Sequence, residues 1–206
     1  MRRSVKAVGV IALSIAVATG CDSGSSAPTS GAADPPSPSA PAATTSAPGA
    51  ADTGPQSKPT DAGPKVAEIV DESGGVKVTV TALRIGRHDG FDRVVYEFGG
   101  KGMPGWKVQY VDTAVQDGSG KPLTVAGRSI LEVLISGAAY PHDSGVQEYS
   151  GPDPLRDPTA TVVSEVHLAT TFEGVTQSFV GVNADKPAFR VFALNSPTRI
   201  VVDVAS

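Results

Sequence analysis

The sequence predicts an all-β sandwich of about eight short strands, preceded by a signal peptide and a disordered linker. Three observations lead there. Beyond Lys65, apolar side chains recur with period two in short runs; the runs are separated by turn-forming pairs such as Asp89-Gly90, Asp117-Gly118 and Glu173-Gly174; and no stretch has the periodicity of an amphipathic helix. A strand with one apolar face must bury it against a second layer, so two packed sheets follow.

The chain begins with Arg2, Arg3 and Lys6 ahead of an uncharged, Val/Ile/Leu/Ala-rich stretch from Ala7 to Gly20. That is the arrangement of a secretory signal, and the apolar run is shorter than the ~20 residues a membrane-spanning helix needs. Val17-Ala18-Thr19-Gly20-Cys21 resembles the lipobox of bacterial lipoproteins, with Ala18 where Leu is usual. Cys21 is the single cysteine, which excludes an internal disulfide and any zinc site built on paired cysteines. Asp22-Ser23-Gly24-Ser25-Ser26 follows it and offers nothing to bury a thiol against, so Cys21 is expected to accept lipid and hold the protein on the membrane.

From Asp22 to Pro64 the chain is Ser, Ala, Pro, Thr and Gly with scattered charges, and apart from Ala it has no aliphatic or aromatic side chain. Burial there cannot offset roughly 1–2 kcal/mol of backbone entropy per residue, so a disordered tether is expected. The predicted organisation is a signal peptide at 1–20, the lipidated Cys21 with its tether at 21–64, and one folded domain at 65–206.

Within that domain Val76, Val78 and Val80 alternate with Lys77, Thr79 and Thr81; Val94, Tyr96 and Phe98 with Arg93 and Glu97; Trp106, Val108 and Tyr110 with Lys107 and Gln109. Further strands are expected at Ser129–Ser136, Thr161–Ala169, Thr176–Val182, Ala188–Leu194 and Arg199–Val204. The Pro-rich stretch from Gly137 to Pro158 is expected to be a surface loop, and Trp106 is expected in the core.

A net charge of −4 supplies no basic field for nucleic acid. His88, His142 and His167 stand in no metal-ligand spacing, no Gly-x-Ser-x-Gly occurs, and Asp117-Gly118-Ser119-Gly120-Lys121 lacks the Ser or Thr of a phosphate loop and is expected to be a hairpin turn. His142-Asp143-Ser144 are adjacent in a loop and do not face one another in the order a hydrolytic triad requires. No catalytic residue, metal or cofactor is therefore expected. Glu165 and His167 are expected on a solvated strand face.

The densest local feature is His88-Asp89-Gly90-Phe91-Asp92-Arg93. It has two readings. In one it is structural, with Gly90 at positive φ, Phe91 folded onto the sandwich end, and Asp92 or Asp89 pairing Arg93 or capping turn amides. In the other, Arg84, Arg87 and Arg93 present guanidinium groups suited to carboxylates. Tyr140 and Tyr149 flank the Pro-rich loop as candidates for stacking on sugar faces.

Val80–Phe98 resembles the first hairpin of the AMIN domain family, specifically the AMIN-like domains of lipoproteins in high-GC Gram-positive bacteria. Phe189-Arg190-Val191-Phe192 and Pro197–Val204 resemble its last strands, and Pro104–Asp112 fits the AMIN-like variant. The resemblance covers roughly Val76 to Ser206. It implies a β-sandwich without catalytic activity, since AMIN domains target cell-wall amidases and secretins to the envelope by binding peptidoglycan. The expectation is an extracytoplasmic, lipid-anchored protein that binds peptidoglycan or an associated wall polymer, or alternatively a module that docks onto an envelope protein complex.

Overall fold

The computed structural model describes residues 54–69 and 75–206. The expected signal peptide, Cys21 and the tether as far as residue 53 lie outside the described residues. The chain forms β1 (Lys65–Ala67), β2 (Lys77–His88), β3 (Phe91–Lys101), β4 (Gly105–Val111), β5 (Ala114–Val115), β6 (Pro122–Leu123), β7 (Ser129–Ser136), the short α1 (Pro141–Ser144), β8 (Val163–Phe172), β9 (Val175–Val182), β10 (Phe189–Leu194) and β11 (Thr198–Ala205). All eight expected strands form, and β1, β5 and β6 are additions too short to register as alternation. The Asp117-Gly118 turn closes the β5–β6 hairpin, as expected.

Strand pairing is antiparallel in two principal sheets, ordered β1-β4-β7-β9-β8 and β10-β11-β3-β2. Their facing sides make the core. Val94, Tyr96 and Phe98 of β3 and Ile200, Val202 and Val204 of β11 meet Val108, Leu131, Val133, Val166 and Val180 from the other sheet. Tyr96, buried in this core, shares a hydrogen bond of 2.8 Å with Ser178 Oγ, which satisfies the phenol where water is excluded.

The phase of the apolar residues in β2 changes from even (Val78, Val80) to odd (Leu83, Ile85). A register shift between Val80 and Ala82 accounts for it: the extra residue keeps both sets inward, where a regular strand would turn Ala82 and Arg84 to the core. The shift at Val163/Glu165 does the same for β8, keeping Val163 and Val166 both inward, and a second irregularity follows at Leu168/Thr170.

The outer face of the five-stranded sheet and the edges of β2 and β8 are covered by other parts of the chain. The Gly137–Pro158 loop lies along the free edge of β2, with Val78 N–H donating to the Gly137 carbonyl, Ala139 N–H to Val78 and Tyr149 N–H to Val80 (3.1, 2.8 and 2.7 Å). Leu155 exchanges both backbone bonds with Val166 on the edge of β8. The segment 114–128 crosses the outer face of the five-stranded sheet over the fully buried Phe179, held by Gln177 Nε2 to Val115 O and by Arg128 N–H to Val182 O.

The composition boundary at Lys65 is misplaced. Residues 54–64 lie on the domain: Phe189 N–H donates to the Asp61 carbonyl at 2.9 Å, the buried Arg93 and the partly buried Arg190 hold the Pro55 carbonyl, and β1 pairs with β4. This strap contributes chiefly backbone oxygens, which composition does not reveal. Trp106 is partly buried against the core.

Where the crossing passes the sheet it leaves no room for a side chain. A Cβ on Gly181 would stand 2.0 Å from the Ala126 carbonyl oxygen, whereas one on Gly86 would meet nothing within 4 Å. Gly181→Ala is therefore expected to cost about 1–3 kcal/mol or more in urea unfolding. Gly86→Ala should stay within about 0.5 kcal/mol of the parent.

Candidate functional site

The hairpin between β2 and β3 turns through Asp89 and Gly90, whose φ of 82° suits glycine. His88 stacks on the buried Phe91 at a centroid distance of 4.8 Å. Asp92 is fully buried, and its carboxylate accepts the backbone amides of Thr161, Val162 and Val163 at 2.7, 2.6 and 2.9 Å, with the Thr161 hydroxyl at 3.1 Å. Three successive amides form an anion cradle, so this bond set ties the hairpin of one sheet to the entry of β8 in the other.

Arg93 is only 1% exposed and does not present itself to a ligand. Its Nε and Nη2 donate to Asp203 Oδ1 and Oδ2 at 2.6 and 3.0 Å, and Nη2 also donates to the Pro55 carbonyl at 2.7 Å. Its acidic partner is thus on β11, and neither Asp89 nor Asp92 of the turn plays that part. Arg190 from β10 donates to the same Asp203 carboxylate.

Arg87 stands apart from this network. It is exposed, and its guanidinium has no hydrogen-bond or ion-pair partner among the described residues. With His88, Asp89, Gly90, Thr161 and Ser206 it lines an open cleft of 390 Å³, whose two sides the Asp92 bonds hold together. Such a group can take a carboxylate with two parallel hydrogen bonds, and pre-positioned walls reduce the ordering cost of binding.

The other expected site residues go elsewhere. Arg84 is exposed on the outer face and bonded to Glu97 at 3.0 Å. Tyr140, 47% exposed, stacks beside His142 and donates to the Thr171 carbonyl at 3.0 Å. It lies next to the start of β2, whereas Arg87 lies near its end, about 30 Å away at ~3.3 Å per residue. Tyr149 donates to Pro152 O at 3.0 Å and packs toward the core, so it clasps its own loop. Ser144 is bonded to Thr79 and His142 to Asp143, and no triad assembles.

Glu165 and His167 are on the outer side of β8, but they are buried, at 2% and 8% exposure. The expected solvated face is covered because the loops at 126 and 153–156 fold over it. Glu165 accepts from Ala126 N–H at 2.7 Å, shares a bond with His167 Nε2 at 2.9 Å and is gripped by Arg156; His167 Nδ1 faces Asp153 at 3.4 Å. Alternation alone could not show this, because the covering atoms come from distant loops.

Among the described residues no group of three or more His, Cys, Asp or Glu is placed to hold a metal ion. The hairpin end carries one guanidinium, that of Arg87, without a partner among the described residues, over a frame that the Asp92 bonds fix.

Two outcomes follow. Arg93→Ala should cost about 3 kcal/mol of stability, since Asp203 remains buried with a single partner, while Arg87→Ala should stay within ~0.5 kcal/mol; parallel chemical denaturation of both variants checks this. Burial raises the Glu165 carboxyl, but the Ala126 amide, His167 and Arg156 outweigh it and hold the group below its usual 4.5. The ionised form therefore stabilises the fold above that value, and the contribution is lost as pH falls below it. Melting temperature measured from neutral pH into the acid range should drop less steeply in Glu165→Gln than in the parent.

No curated protein and no solved structure matches the chain. The AMIN-like domain model matches residues 78–206, which takes in β2 from its second residue and every later strand. Those matched residues include the hairpin, the Asp92 cradle and Asp203, and they make up more than half of the chain, which therefore belongs to the AMIN-like domain family.

Proposed function

We propose that this protein is a membrane-anchored envelope lipoprotein whose AMIN-like domain binds peptidoglycan or an associated wall polymer without transforming it. AMIN-like domains are non-catalytic binding modules of the cell wall and envelope. The observation that carries the finer reading is Arg87, the unpaired guanidinium on the rim of the 390 Å³ cleft. Wall peptides are rich in carboxylates, and an exposed arginine on a frame fixed by Asp92 meets them without rearrangement. In this reading a lipid on Cys21 holds the chain at the membrane, and the residues between Cys21 and Gly54 act as the tether.

The alternative, docking onto an envelope protein by addition of a strand, has fewer sites to use. The edges of β2 and β8 already bond to their own loops, and β10 receives the strap at Asp61.

Pull-down of the full chain on isolated sacculi tests the wall reading. Retention should disappear when the sacculi are digested with wall hydrolases, and Arg87→Ala should weaken it about tenfold, the size of one charge-assisted contact, with an unchanged unfolding curve. No retention by intact sacculi, or equal retention of Arg87→Ala, would sink the assignment. Cys21→Ser should leave the membrane fraction or accumulate as precursor, and mature membrane-bound Cys21→Ser would refute the anchor.

A further inference from the structure

A second cleft, of 240 Å³, opens at the same end of the sandwich as the Arg87 cleft. Register places it there. Val111 at the end of β4 pairs with Ile130, Ser129 pairs with Val182, and Val182 pairs with Val163, whose amide Asp92 holds. Asp112, Arg128 and Lys186 line it over an apolar floor of Val111 and Ile130.

The charges are arranged for a ligand that carries both signs. The Arg128 guanidinium has no partner among the described residues. The Lys186 ammonium and the Asp112 carboxylate face each other at 3.5 Å, with side chains 52% and 93% exposed, so both retain open bonding positions. A simple anion would be drawn by the two cations and repelled by Asp112. A ligand with a carboxylate and an ammonium on one carbon satisfies all three.

The backbone around these groups is pinned from several sides. Ser129 Oγ donates to the Ala184 carbonyl at 2.7 Å and accepts the Lys186 amide at 3.1 Å, and Tyr110 Oη donates to the Pro187 carbonyl at 2.7 Å. Gly127, at φ 128°, lets the chain come against Val182, where the Arg128 amide bonds the Val182 carbonyl at 2.7 Å. Lys186 itself is held at φ 42°, in the left-handed region and directly before Pro187. Glycine would enter that conformation freely and an L-residue does so at a cost, so the lysine side chain has to supply something that a glycine would not.

We propose that this cleft binds the free head group of an α-amino acid, with the carboxylate between Arg128 and Lys186, the ammonium on Asp112 and the carbon chain against Val111 and Ile130. In a cross-linked peptide mesh the group selected is an unlinked amino-acid end. The assignment uses none of the Arg87 cleft and stands or falls apart from it.

Calorimetric titration of the full chain with meso-diaminopimelic acid, which carries such a head group at each end, tests the site. Saturable binding is expected, lost with pimelic acid, which has no amine, and with the N,N′-diacetyl derivative. Arg128→Gln and Lys186→Gly should each weaken it about tenfold or more, and Lys186→Gly should unfold at higher temperature than the parent because the left-handed position is relieved. Absence of binding, equal binding of pimelic acid, or undiminished binding by Arg128→Gln would overturn the proposal, as would a lower melting temperature for Lys186→Gly. Sacculus retention of Arg87→Ala reports on the other cleft, so either assignment can fail alone.

Discussion

A buried carboxylate organises the four-stranded sheet. Asp203 has no exposure to solvent, and in the strand register it stands directly between Arg93 on β3 and Arg190 on β10. An Asp203 without these partners would be an unpaired ion in a medium where that costs several kcal/mol, which favours the one alignment that sets both arginines beside it. A slip by one residue would set Arg93 against Val202 or Val204 and turn Asp203 into the apolar core. Two guanidinium groups share this carboxylate. Part of their demand is met by the carbonyls of Pro55 and Ser57 in the strap, and the rings of Phe91 and Phe192 flank both guanidinium groups at 5.2–5.8 Å. The sheet and the segment that precedes the domain are thus held by the same groups.

The neighbouring residue does the corresponding work between the sheets. Asp92 points to the opposite side of β3 from Arg93, and its three amide bonds reach the entry of β8. One dipeptide therefore fixes both the lateral order of one sheet and its end-on relation to the other. The consequence for function is that the loops at this end, those carrying Arg87, Thr161, Arg128 and Lys186, are positioned by buried bonds and can leave charged side chains unspent at the surface. Both clefts open there, while Tyr140 sits at the far end of β2 with its hydroxyl already engaged.

The faces turned away from the core are covered by chain of low apparent information. The crossing at 114–128 approaches so closely that Gly127 and Gly181 cannot carry a side chain without meeting backbone, and it brings the Ala126 amide onto Glu165. The Pro-rich loop satisfies the edge of β2, which would otherwise offer free donors and acceptors to another chain. Burial of Glu165, His167 and Phe179 on the outer face of the five-stranded sheet follows from these covers.

Read alone, the sequence determined the strand layout, the turns at Gly90 and Gly118, the all-β class and the family. These are properties of period and of local backbone freedom, which neighbouring residues express. Tertiary structure alone decided which charges are spent and which are free. Arg84, Arg87 and Arg93 look alike in the sequence, yet one bonds Glu97, one lines a cleft, and one is buried against an aspartate that lies 110 positions away. It also decided that residues 54–64 lie on the domain and that Glu165 is covered: the strap is held largely through its backbone carbonyls, which are identical in every residue and therefore invisible to composition, and Glu165 is held by the Ala126 amide and by Arg156, which distant loops bring over it. A side chain's availability depends on what the rest of the chain brings within bonding distance, and only the folded arrangement of the two sheets fixes that.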